Sequence, residues 1–162
     1  MKILIFGIPN SGTSSLYNFI VDSYPKHYIT KYEPFKRTTE VEWGNDCIVK
    51  TVFSKEPDPL LFKDGETLLE HSIRIVKQFD KVIYIRRKPT IETQFGEWNI
   101  IFDLVVRDNK IYYYEDIFKD EPSQSFYELC EYLNIEMDIK LFDSYIHVKN
   151  KYIKQKREKT VI

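Results

Sequence analysis

The amino-terminal stretch MKILIFGIPNSGTSSLYNFI constrains the fold more than any other part of the chain. Lys2 to Phe6 is an apolar run of strand-forming residues and reads as a buried strand. Gly7 to Ser15 (GIPNSGTSS) mixes glycine, proline and hydroxyl residues and reads as a tight loop. Leu16, Phe19 and Ile20 then recur at helical spacing. A strand, a glycine-bearing loop and a helix in direct succession make the opening unit of an α/β domain.

The rest of the chain continues the alternation. Asp46 to Phe53 (DCIVKTVF), Lys81 to Arg87 (KVIYIRR) and Lys110 to Asp116 (KIYYYED) read as further strands. Between them lie helical stripes: Leu69, Ser72, Ile73 and Val76 within Glu66 to Phe79, then Ile91, Phe95, Trp98, Phe102 and Val105. A last stripe, Phe126, Leu129, Cys130 and Leu133, follows Glu121-Pro122-Ser123, a suitable helix start. The fold class expected is α/β with three layers, a mostly parallel sheet of about four to five strands flanked by helices. Ligands in such folds sit beyond the carboxyl ends of the strands, which selects the loops after Phe6, Lys50 and Ile85.

A chain of 162 residues suits one domain spanning 1–162, and its 43% hydrophobic content argues against disorder. The net charge of -1 gives no support to a nucleic-acid partner. Cys47 and Cys130 stand far apart among apolar neighbours, which predicts two buried thiols in a reducing, cytoplasmic compartment. No signal peptide and no run long enough for a membrane span is visible. A basic tail begins near residue 147, and its run from Lys149 to Lys159 reads as a solvated end or as a segment that folds back over a ligand.

Gly7 and Gly12 are spaced as in the phosphate-binding pattern G-x-x-x-x-G-K-[ST]. Glycines let the backbone turn its N–H groups inward around an anion, and the following helix start adds its own N–H groups and positive dipole end. Ser11, Thr13, Ser14 and Ser15 add hydroxyls. The fold is therefore expected to be of the P-loop type. Thr13 takes the lysine position, however, and the third strand ends in arginines rather than in a carboxylate for Mg²⁺. Both departures disfavour an ATP-dependent kinase-like enzyme, the third reading of this loop.

Pro9 to Leu16 (PNSGTSSL) resembles the loop with which sulfotransferases hold the 5′-phosphosulfate of 3′-phosphoadenosine 5′-phosphosulfate (PAPS). Tyr84 to Trp98 (YIRRKPTIETQFGEW) resembles the second signature of that family, which grips the 3′-phosphate. Ile111 to Asp138 resembles a third family stretch of strand, turn and helix, and Glu33 to Phe35 (EPF) a fourth, shorter one. The resemblance implies a compact domain of the sulfotransferase type. It implies transfer of a sulfuryl group from PAPS to a hydroxyl or amine, leaving adenosine 3′,5′-bisphosphate (PAP). The acceptor would be a glycan, a protein or a small molecule.

Carried over by position, Pro9, Asn10, Ser11, Gly12, Thr13 and Ser14 fall on the phosphosulfate loop. Arg87 falls on the 3′-phosphate arginine, with Arg86 as the alternative. Thr93 answers to the family's serine, either as a phosphate contact or as a helix-surface residue. Lys149 and Lys151 would close over the nucleotide. Asn10 departs most, because the family places a cation there to stabilise the bridging oxygen as the sulfuryl group leaves. The loss of such a cation is comparable to that of an oxyanion donor, about 3 kcal/mol or more. Lys50, near the end of the second expected strand, is the candidate substitute, or else a strand-end lysine reaching solvent. Glu33 is the candidate general base, with His27, His71 and His147 weaker, or else it is a plain turn carboxylate. A catalytically weak or inactive PAPS/PAP-binding module is the alternative that Asn10 supports.

Overall fold

The computed structural model describes residues 1–9, 11–34, 44–52, 65–88 and 96–145. Among these residues five strands form one sheet: β1 (Lys2–Gly7), β2 (Ile29–Tyr32), β3 (Cys47–Val52), β4 (Lys81–Arg86) and β5 (Ile111–Tyr113). Their order is β2-β3-β1-β4-β5, and every neighbouring pair is parallel. The α/β class and the parallel sheet expected from the sequence are both present.

Alternation along the central strands divides the core in two. Ile3, Ile5, Ile48, Ile83 and Ile85 face one side and pack with Leu16, Phe19 and Ile20 of α1 (Thr13–Ser23) and Phe126, Leu129 and Leu133 of α5 (Gln124–Leu133). Leu4, Phe6, Val49 and Tyr84 face the other and pack with Ile75 of α2 (Leu68–Val76) and Phe102, Val105 and Val106 of α3 (Glu97–Val106). A short helix, α4 (Tyr114–Ile117), follows β5 directly, and residues 139–145 are also helical.

Local signals fix the helix ends. Thr67 and Glu70 form a reciprocal capping box at α2, with Thr67 Oγ1 accepting from the Glu70 N–H at 3.2 Å. Ser123 caps α5, and Asn134 ends it in the left-handed conformation at φ 56.

Two expectations need correction. β5 stops at Tyr113 rather than running to Asp116, because β4 ends opposite it: Arg86 pairs with Tyr113 and nothing continues the ladder. The chain then coils into α4, where Glu115 accepts from the Lys88 N–H at 2.8 Å and Asp116 pairs with the Lys88 ammonium. β2 is an additional strand. It is exposed at all four positions on the sheet edge, so no buried alternation announces it. No helix among the described residues is long and apolar enough to cross a membrane.

Candidate anion-binding site

Because all five strands are parallel, their carboxyl ends share one edge, and that edge gathers the loop, Tyr32, Glu33, Lys50 and the two arginines. At Gly7 the backbone lies so close to its neighbours that a Cβ would sit 2.4 Å from Thr13 Cγ2 and 2.8 Å from the Ile85 carbonyl oxygen. Ile8 N–H donates to that same carbonyl at 3.3 Å. Gly12 precedes α1 at φ 76, a left-handed conformation that favours glycine. Its carbonyl accepts the first helical bond, from Leu16 N–H at 3.0 Å, and it has no side chain with which to cap the helix. The opening amides of α1 are thus left for another acceptor.

Ser11 supplies a second, independent sign. It is 1% exposed, and its hydroxyl has no hydrogen-bond partner among the described residues. Burying a hydroxyl in that state costs about 1–3 kcal/mol, which a seated anion would offset by accepting from it. Thr13 is buried beside it, Ser14 is half-buried and Pro9 forms the turn before it. Asn10 lies outside the described residues.

The far wall is aromatic. A side chain at position 12 would meet Phe118 at 2.4 Å and Tyr114 at 2.9 Å, so these rings lie against the loop itself. Tyr114 and Phe118 are one helical turn apart, with ring centroids separated by 5.0 Å. The guanidinium of Arg87, just past β4, lies 4.3 Å over the Tyr114 ring. Arg87 is exposed and sits on the same side as the loop.

Arg86 goes to the other face. It is buried under α3, donates to Asp103 at 2.7 Å, and lies 5.6 Å over the Phe102 ring and 5.9 Å over that of Tyr113. Strand alternation separates the two arginines in this way. Thr93, Lys149 and Lys151 lie outside the described residues.

Glu33 and Lys50, read separately from the sequence, are one unit. Lys50 Nζ donates to Glu33 Oε1 at 2.8 Å, and Val52 N–H donates to Oε2 at 3.1 Å. Glu33 N–H donates to the Lys50 carbonyl at 2.8 Å, and Glu33 adopts φ 52, unusual outside glycine. Both side chains are buried. The Lys50 ammonium also lies 4.2 Å over the ring of Tyr32, whose hydroxyl is 2.9 Å from Ser14 Oγ. The Ser14 hydrogen bond and then Lys50 pull the Tyr32 phenol below its usual pKa.

Tyr32, Tyr114 and Phe118 are the site residues that the sequence reading missed. Tyr32 had a signal in its place beside Glu33 at the end of ITKY, and the other two in their one-turn spacing within YEDIF.

Of the weaker bases, His27 lies near Asp46, which also binds the Met1 amino group, at the start of β3 and so on the opposite edge of the sheet. His71 is buried in α2 beside Glu66 and Arg74. His147 is outside the described residues. Among the described residues no three His, Cys, Asp or Glu side chains come together as a metal site would require. No protein-family model, curated protein or solved structure matches this chain.

Proposed function

We propose that this chain binds PAPS, or its product PAP, and acts as a compact sulfotransferase. The observation that carries the reading is the buried, unpartnered Ser11 hydroxyl beside an uncapped helix start at the carboxyl edge of a parallel sheet. An anion is the acceptor that suits these donors. Ser11, Gly12, Thr13 and Ser14, with Pro9 and Asn10, would hold the 5′-phosphosulfate. Arg87 on its Tyr114 platform would take the 3′-phosphate, aided by Thr93, Lys149 and Lys151. When bound, the cofactor would supply an activated sulfuryl group: an acceptor oxygen or nitrogen would attack sulfur, the bridge would break with its electron pair on the phosphate oxygen, and the acceptor's proton would pass to solvent. The loop's N–H and hydroxyl groups would orient that bridge and stabilise the charge it gains. The acceptor is a hydroxyl or amine of a glycan, protein or small molecule, and the two buried free thiols suit a reducing compartment.

Calorimetric titration with PAP, and separately with ATP and Mg²⁺, tests the cofactor. Tight binding of PAP without binding of ATP·Mg²⁺ is expected, and the reverse result overturns the proposal.

A second reading, a module that holds the nucleotide without turnover, is favoured by the Lys50–Glu33 pair. The candidate replacement for the family's loop cation has its charge neutralised at 2.8 Å. Transfer of labelled sulfur from PAPS to any member of an acceptor panel decides for the enzyme. Binding without transfer across the panel decides for the module.

A further inference from the structure

Tyr32 lies on the sheet edge beside the loop but takes no part in the nucleotide binding proposed above. It is 57% exposed, yet its ring is held from two directions. The Tyr17 ring meets it edge-on at 5.7 Å, and the Lys50 ammonium lies 4.2 Å from its centroid. These two contacts order an exposed side chain that would otherwise keep its rotamer freedom. The ordering places the phenol oxygen 2.9 Å from Ser14 Oγ, in the first turn of α1.

The loop from Gly7 to Ser15 contains no lysine or arginine, so positive charge must reach an anion there from other segments. Lys50 is buried near the end of β3, and Glu33 fixes its position from the side. A serine hydroxyl carries one hydrogen. If Ser14 gives that hydrogen to a phosphate, it can only accept from Tyr32, and Tyr32 must donate. Tyr32 then donates to Ser14 and Ser14 to the loop, two hydrogen bonds in series that polarise one another, while the Lys50 ammonium acts on the phenol through the face of its ring.

We propose that Tyr32 is a positioning residue that carries the influence of the Lys50 charge to the anion loop. Its O–H donates to Ser14 Oγ and so turns the Ser14 O–H toward a phosphate oxygen of the bound nucleotide. This rests on the reading of the loop as a phosphate site.

The test is a double-mutant cycle read by calorimetry with PAP, on the wild-type chain, Tyr32→Phe, Ser14→Ala and the double variant. Phe keeps the ring that Lys50 and Tyr17 touch, and thermal melting checks that each variant folds. Tyr32→Phe should weaken PAP by about fivefold to tenfold, the size of one net hydrogen bond. Ser14→Ala should weaken it at least as much, and the double variant no more than Ser14→Ala alone, because Tyr32 acts through Ser14. Unchanged affinity in Tyr32→Phe, or losses that multiply in the double variant, overturns the relay and leaves the loop reading intact. Absence of PAP binding by the wild-type chain overturns both.

The phenolate absorbance of Tyr32, taken as the difference from Tyr32→Phe in both the wild-type and Ser14→Ala backgrounds, separates the hydrogen bond from the plain field of the bound anion. Bound PAP should shift that ionisation to higher pH, and by less in the Ser14→Ala background. No shift overturns the relay.

Discussion

At the scale of single residues, two buried groups tie stability to binding with opposite signs. The Ser11 hydroxyl is buried without a partner, so Ser11→Ala removes a group that destabilises the empty protein. Thermal or urea unfolding should show the variant as stable as the wild type or more so, by up to about 1–3 kcal/mol. Its affinity for PAP should fall about tenfold, a loss of about 1.4 kcal/mol. A variant that loses stability would show that the hydroxyl is satisfied in the folded chain. The Lys50–Glu33 pair works the other way. Glu33→Gln keeps one carbonyl acceptor, for Lys50 or for Val52 but not for both, and leaves the ammonium uncancelled. Breaking a buried pair costs about 3–5 kcal/mol, and the retained acceptor places this variant near the lower figure. The freed charge should tighten PAP severalfold in calorimetry at low salt, and an unchanged or weakened affinity would exclude Lys50 as the source of charge for the loop.

At the scale of elements, the junction of β1, the loop and α1 depends on Gly12. A side chain there meets two penalties: a Cβ at φ 76 costs about 1–2 kcal/mol on conformation alone, and it would lie 2.4 Å from Phe118. Gly12→Ala should therefore unfold at lower urea than wild type by more than the conformational cost alone. Denaturation curves of Gly12→Ala in the wild-type and Phe118→Leu backgrounds would divide the two contributions, and equal losses in both backgrounds would show that Phe118 yields freely. This junction was legible in the sequence because its signals are local: an apolar run, glycines and a helical stripe, all within Lys2 to Ile20. β3 and β4 were legible for the same reason, as buried runs. β2 was not, since an exposed edge strand has no apolar side to reveal it. The bond between Glu33 and Lys50 was also hidden. It forms because β2 and β3 lie side by side with Tyr32 opposite Lys50, and strand order cannot be read from either segment. The separation of Arg86 from Arg87 follows the two-residue strand period, but which face holds the loop became clear only when α1 and α3 took opposite sides.

At the scale of the whole molecule, the parallel sheet divides its two edges by task. The carboxyl edge gathers the loop, Arg87 and the Tyr32–Lys50–Glu33 unit, while the opposite edge is tied by the Met1 amino group and Asp46. Stability as a function of pH should depend on a group away from both the loop and that tie. His71 is buried in α2, and burial, with a smaller push from the Arg74 charge, holds its pKa below the ordinary 6.5 against the opposing pull of Glu66. His71 Nδ1 lies 3.0 Å from Arg74, which can only donate, and 3.2 Å from Glu66 Oε1, which can only accept, so that nitrogen serves one or the other, and the adjacent guanidinium charge opposes protonation of the ring. The unfolded chain, whose His71 has its ordinary pKa, then binds more protons than the folded chain as pH falls below about 6.5, so protonation favours unfolding. The stability from a neutral His71 is fully present above the unfolded value and is lost as pH falls toward the lowered folded value. Asp46 and Glu128, whose pKa values are lowered from the carboxylate range, contribute their losses at more acid pH. The melting temperature of the wild-type chain should thus decline between about pH 7 and pH 5, and His71→Asn, which has no proton to gain there, should show a flatter profile. Parallel profiles for the two proteins would mean that the acid sensitivity of the fold resides elsewhere.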